Sequence, residues 1–181
     1  MGKTPQYWGR YSKHGQALPL DIGGVRFVPM KVLLKDKIWN LHHLMRAVPN
    51  IRHVIDLTNY QSGKYSLHDE EDFQKENLGY TKIEIPPVWS KFQPVPPEDS
   101  VQAFLAAVDE AEVGDDVIGV MCSFGVDRSG YMLCRYMMDR LGMDSEEAIQ
   151  TFTAARGEEF SNDRGHWLAD LRTRDVVEVE N

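Results

Sequence analysis

Cys122 and Arg128 are separated by the five residues Ser123-Phe124-Gly125-Val126-Asp127, and Ser129 follows directly. A cysteine and an arginine at that spacing fit phosphoryl transfer. A short loop at a helix N-terminus points successive backbone N–H groups inward, and the helix dipole favours an anion there. Ser123, Phe124, Gly125 and Val126 supply those amides. The same amides and helix end favour the thiolate form of Cys122, which can attack phosphorus. Arg128 can clamp two non-bridging oxygens as the phosphoryl group moves. Ser129 can donate to the sulfur and ease its departure in a second step. Gly125 lets the backbone curl around a phosphate without a Cβ. The competing reading makes Cys122 a small buried apolar residue at a strand end.

The loop needs a strand before it and a helix after it, and the sequence offers both. Residues 117–120 are a short apolar run that reads as a buried strand, and Met132, Leu133, Tyr136, Met137 and Leu141 recur at helical spacing. Residues 1–24 read as an irregular arm that packs aromatic side chains on the core. The pattern then predicts a strand over 25–28, a helix over 38–47, a second strand over 53–57, a short helix over 70–76 and a third strand over 80–85. Residues 86–97 hold five of the nine prolines and predict a rigid extended loop around Trp89, Lys91 and Phe92. A helix opens at Pro97, another is capped by Asp144 with Glu147 three residues on, and a last one lies near 163–173. The acidic stretch 174–181 reads as a frayed tail.

Strands alternating with helices predict a single-domain α/β fold over 1–181, with a mostly parallel central sheet flanked by helices. The loop then lies at the carboxyl end of a strand, where such sheets place ligands. On spacing alone Lys31 reads as a solvated surface charge. Asp56 reads either as a turn cap or as a support for the site.

Composition narrows the function. With 42% hydrophobic and 27% charged residues in 181, the chain reads as an ordinary globular protein. Its two cysteines, Cys122 and Cys134, form no metal-ligand or CxxC pattern, which predicts a reducing intracellular compartment, nuclear or cytoplasmic. No signal peptide, membrane span or lipidation signal is read, so no membrane partner is expected. A net charge of −8 argues against broad, salt-driven nucleic-acid binding but leaves room for a small basic pocket that grips one charged end. No cofactor or metal is implied. The adjacent His42 and His43 cannot share a helix face.

Beyond the loop, several segments carry a resemblance. Phe27 to Leu34, with Lys31 inside it, resembles a Phe-Lys-x-Pro-Leu segment. Val54-Ile55-Asp56-Leu57-Thr58-Asn59 matches an Ile-Asp-Leu-Thr-Asn strand end. Gly130 to Tyr136 matches the helix after the loop, and Asp163-Arg164 with Asp170-Leu171 resembles a last-helix pattern. Over about Trp8 to Leu171 the chain is similar to the cysteine-type RNA 5′-phosphatases of the dual-specificity phosphatase superfamily, which include the triphosphatase domains of mRNA capping enzymes. The resemblance implies the cysteine-phosphatase fold and a phosphocysteine intermediate. It also implies a phosphorylated substrate, a 5′-tri- or diphosphate RNA end, with Lys31 and Arg164 around the additional phosphates.

Of the family pattern His-Cys-Thr-His-Gly-x-Asn-Arg-Thr, the loop keeps Cys122, Gly125 and Arg128. Met121 and Phe124 stand where the family has histidines, Asp127 replaces Asn, and Ser129 replaces Thr. Met121 brings no polar support to the thiol, and Phe124 offers a stacking face. Asp127 is a candidate general acid, a repulsive charge beside an anion site, or a side chain in solvent. Met121 and Asp127 together predict a slower enzyme. Ile85 to Pro96 contains no Asp or Glu, although protein phosphatases of this fold carry an acidic residue on that loop. A leaving diphosphate is a weak base and needs little protonation, so this absence also favours a polyphosphate end. Alternatives are a dual-specificity protein or phosphoinositide phosphatase, and a non-catalytic binder of phosphorylated ends.

Overall fold

A computed structural model describes residues 8–18, 24–60, 65–85, 94–111 and 114–175. Its centre is β4 (Val117–Cys122), buried at every position. β4 lies between β1 (Arg26–Lys31) and β2 (Ile51–Asp56), and β3 (Gly79–Lys82) pairs beyond β2. All these pairings are parallel, in the order β1-β4-β2-β3. The predicted α/β architecture is therefore present, and the sheet among the described residues is wholly parallel. A parallel sheet needs cover on both faces, and helices supply it.

Side-chain alternation sorts the two faces. Phe27, Ile55, Ile118, Val120 and Cys122 share one core cluster with residues of α3 (Glu98–Glu110), α4 (Asp127–Leu141), α5 (Ser145–Arg156) and α6 (Gly165–Arg174). Val28, Met30, Val54, Val117 and Met121 share the other with Leu41 and Leu44 of α1 (Leu41–Ala47) and Phe73 of α2 (Glu70–Lys75). Each such side chain, once fully buried, contributes about 1.5–3 kcal/mol. At Gly130 α4 packs tightly on its neighbours: a Cβ there would stand 2.6 Å from the rings of Phe152 and Phe160.

Local chemistry sets the helix ends. Asp144 accepts from the Glu147 amide at the start of α5, and Gly157 ends that helix in the left-handed region at φ 72°. Asp69 and Asp72 form a capping box on α2. α1 begins at Leu41 rather than 38, because Asn40 accepts from the His43 amide and fixes the start there. Ile38 is left outside the helix and 68% exposed. A 3-10 turn, Asn162–Arg164, precedes α6, where the pattern predicted helix from 163.

Two differences bear on the site. β1 extends to Lys31, three residues past the expected strand end, and Lys31 is buried. The expectation of a solvated Lys31 is corrected: β1 carries it into the sheet. The N-terminal arm is also more regular than expected. Leu18 N–H donates to Phe27 O, Gly15 N–H to Pro29 O, and Lys31 N–H to Lys13 O, with His14 and Met30 forming an antiparallel bridge. Edge strands leave such groups open, and the arm closes this one. Pro29 is tolerated because it only accepts there. The expectations for Trp89, Lys91 and Phe92, for the whole of 176–181 and for residues 1–7 lie outside the described residues.

Candidate active site

Cys122 is the last residue of β4 and is buried. The backbone then turns through four residues into α4, whose N-cap, Val126, provides no side-chain cap. The first amides of α4 thus keep their donors for another partner. Gly125 sits at φ 69°, and a Cβ there would lie 2.4 Å from the Met30 carbonyl carbon. Only glycine passes at that point. Its N–H donates to Cys122 Sγ at 3.2 Å.

Arg128, in the first turn of α4, is buried. Nη1 donates to the carbonyls of Leu57 (3.1 Å) and Ile85 (3.0 Å), and Nη2 donates to Ser123 Oγ at 2.5 Å. The arginine is thereby anchored to chain just beyond β2 and β3. Ser123 Oγ also accepts from the Tyr60 hydroxyl at 2.5 Å. Burial pushes the Tyr60 phenol up to about 12, so it stays a donor. Ser129 Oγ donates to Val120 O at 3.1 Å. In this arrangement the donor on the sulfur is the Gly125 amide, where the sequence reading expected Ser129.

Lys31 pairs in register with Cys122 across β1 and β4. Burial and then the positive charge of Arg156 lower the Lys31 ammonium to about 8, partly opposed by Glu158. Asp127 does not point into solvent. Its carboxylate accepts from the Ser161 amide (2.9 Å) and hydroxyl (2.8 Å), and Oδ2 lies 3.6 Å from Arg164 Nε. Arg164 is buried, with its guanidinium carbon 5.5 Å from the centre of the Trp167 ring. Asp127 therefore joins the start of α4 to the turn that carries Arg164. Phe124 is half-buried and its ring packs on Tyr11, centroids 5.0 Å apart. Met121 faces away from the loop, in the apolar cluster under α1 and α2. Asp56 takes the expected turn-cap role and also pairs with β3. Oδ1 caps the Thr58 amide at 2.8 Å, and Oδ2 accepts from Tyr80 and Lys82 at 2.8 Å each.

Sequence reasoning missed Arg156. Buried at the end of α5, it donates through Nε to Gly125 O (2.8 Å) and through Nη2 to Phe124 O (2.9 Å) and Ser12 O (2.7 Å). Nη1 donates to Ser12 Oγ at 2.5 Å. An arginine before a C-terminal Gly157 looks like an ordinary basic helix end, and no local signal marks its role. Sequence reasoning likewise missed Tyr60, whose hydroxyl donates to Ser123 Oγ. Glu98 accepts from Arg135 Nη1 and Nη2, both at 2.9 Å, and that pairing holds its carboxyl down at about 2. Among the described residues no group of three or more His, Cys, Asp or Glu side chains is arranged to hold a metal ion, and no helix is long and apolar enough to cross a membrane.

Residues 37–172 match the family model described as dual specificity phosphatase, catalytic domain. The tyrosine-protein phosphatase of Autographa californica nuclear polyhedrosis virus is 34% identical over 92% of this chain and 98% of its own length. The RNA/RNP complex-1-interacting phosphatase of Bos taurus is 31% identical over 93% of this chain, which spans 51% of that relative. Among solved structures, PTPMT1 in complex with PI(5)P superposes with a TM-score of 0.66 at 14% identity, covering 92% of this chain and 99% of that one. Tk-PTP in its active form gives 0.61 at 19% identity, over 88% and 97%. The structures share the fold, and the family match extends from before α1 nearly to the end of α6, so the chain belongs to the dual-specificity phosphatase family.

Proposed function

We propose that this phosphatase removes phosphate from 5′-tri- or diphosphorylated RNA ends by way of a phosphocysteine. Cys122 attacks the terminal phosphorus, the bond to the bridging oxygen breaks, and the shortened end leaves with the electron pair. Water then attacks the phosphocysteine, the S–P bond breaks, and the water protons leave with inorganic phosphate. The amides of residues 123–126 and Arg128 bind the transferred group. Lys31, beside Cys122, and Arg164, beside the start of α4, meet the additional phosphates.

The observation that carries the substrate is the state of the carboxylates around the loop. Ile85 to Pro97 contains none. Glu98 is taken by Arg135, and Glu158 accepts from the Ser12 amide. Asp127 has both oxygens on Ser161, which favours a role in holding Arg164 over proton donation. A tyrosine leaving group, with a pKa near ~10, needs a proton donor, whereas a leaving polyphosphate does not. The names of the mammalian relatives, RNA/RNP complex-1-interacting phosphatases, support RNA. The viral relative's name favours a second reading, dephosphorylation of phosphotyrosine in proteins.

Phosphate release from a 5′-triphosphate RNA oligonucleotide, a phosphotyrosine peptide and a phosphoinositide, measured side by side, separates these readings. The RNA end is expected to give the highest kcat/KM. A higher value on the peptide or the lipid would overturn the RNA reading, and binding without turnover on all three would leave a non-catalytic binder.

A further inference from the structure

The loop's amides have to point inward at sulfur and phosphate. Because a trans peptide unit is planar, its carbonyl then points the opposite way, into the protein. A buried carbonyl without a donor is costly, so whatever satisfies it also fixes the direction of its N–H. In two consecutive peptide units of the loop that donor is Arg156. The unit joining Phe124 to Gly125 has its carbonyl on Arg156 Nη2 and its N–H on Cys122 Sγ. The unit joining Gly125 to Val126 has its carbonyl on Arg156 Nε, which turns the Val126 N–H toward the other side.

From this we infer that Arg156 is a positioning residue that aims the Gly125 and Val126 amides, and that Ser12 of the N-terminal arm holds Arg156 in place to do so. Ser12 takes the remaining two guanidinium bonds, through its hydroxyl and its carbonyl. Ser12 is itself fixed, because its N–H donates to Glu158 Oε1 at 3.2 Å. The neighbouring Tyr11 packs on Phe124, and Gln16 N–H donates to Ala155 O at 2.7 Å. The arm, the end of α5 and the loop thus form one hydrogen-bonded unit. A guanidinium is suited to it, since its planar fork meets two adjacent carbonyls and a third partner at once. An ammonium has no fixed fork with which to do the same. Arg156 also brings positive charge close to the thiol.

The inference rests on Cys122 as the nucleophile of the proposed reaction, but its test does not need turnover. Alkylation of Cys122 by iodoacetamide is followed against pH in wild type, Arg156→Lys and Ser12→Ala, with and without inorganic phosphate as protectant. Thermal unfolding checks that each variant is folded. Arg156→Lys is expected to move the alkylation profile to higher pH and to weaken protection by phosphate about tenfold. Its kcat should fall about ten- to a hundred-fold, a smaller loss than deletion of an oxyanion donor. Ser12→Ala, at an exposed position, should shift the same two readouts in the same direction by about two- to five-fold, the size of one lost hydrogen bond. A folded Arg156→Lys with the wild-type profile and wild-type protection would overturn the inference. If the lysine variant does not fold, unchanged readouts in Ser12→Ala would overturn it instead. Both readouts are taken on the thiol and on inorganic phosphate, so they decide the role of Arg156 even if no RNA end is hydrolysed.

Discussion

At the residue scale the proposed chemistry separates into a group that reacts and groups that tune. Cys122→Ser replaces sulfur by a poor nucleophile and leaves the loop amides and Arg128 in place. Turnover is expected to fall below detection while inorganic phosphate still binds within a few-fold, by calorimetry. Activity surviving in that variant would remove Cys122 from the mechanism. Lys31 is a tuning group with a measurable signature. Its ammonium titrates near 10.5 in the unfolded chain and near 8 in the folded one. As pH drops from 10.5 to 8, the unfolded chain takes up a proton that the folded chain does not. Stability should therefore rise with pH across that window, and the penalty is fully present below 8. Lys31→Met should raise Tm at pH 7, flatten the rise between pH 8 and 10.5, and weaken triphosphate binding. Melts at a series of pH values and titration with a triphosphate nucleotide check both arms.

The residues act only because elements hold them, and here two contacts between elements matter most. Asp127 ties the first turn of α4 to the turn before α6 through Ser161 and Arg164. Asp127→Asn keeps an acceptor for the Ser161 amide and loses the charge facing Arg164. Triphosphate binding is expected to weaken about tenfold, the equivalent of 1.4 kcal/mol, by the same factor whatever the leaving group. A loss that grows with leaving-group pKa would instead make Asp127 the proton donor. The second contact joins α3 to α4, where Glu98 meets a buried Arg135 that also binds Asp139 at 2.8 Å. Glu98 is half exposed, so solvent screening limits the pair. Glu98→Gln should lower Tm by about 2–4 °C, equivalent to about 1 kcal/mol. The carboxyl is depressed from 4.5 to about 2, so the wild-type advantage holds above 4.5 and is lost as pH falls toward 2. Phosphate release at pH 7 should not change. A selective loss on phosphotyrosine would give Glu98 the proton-donor role.

For the whole molecule, charge limits how the proposed RNA end can be held. A chain of net charge −8 repels a polyanion except beside basic groups such as Lys31, which pairs in register with Cys122 and feels the charge of Arg156. Binding of a 5′-triphosphate RNA should therefore depend on the end and not on length. The slope of log K against log salt for a single strand is about 0.7 per neutralised phosphate. A slope of about 2–3 is expected, the same for a 5-mer and a 20-mer. A slope that steepens with length would place a nucleic-acid track elsewhere on the surface.

The sequence by itself determined what a contiguous segment can determine. Cys122, Gly125 and Arg128 lie within one strand-loop-helix unit, so their spacing already fixed the strand end, the turn and the helix start that carry them. Period-two and helical apolar patterns likewise made the parallel α/β layout legible, and Asp144 and Glu147 marked the start of α5. Tertiary structure alone decided which side chains meet. Lys31 looked exposed until β1 proved long enough to bring it beside Cys122. Asp127 found Ser161, Arg128 found Leu57 and Ile85, and Arg156 found Ser12, all partners tens of residues away or more. Local spacing governs backbone geometry, but a buried polar group takes whichever partner packing supplies. Arg156 therefore carries no signal in its own neighbourhood, although the direction of two loop amides depends on it.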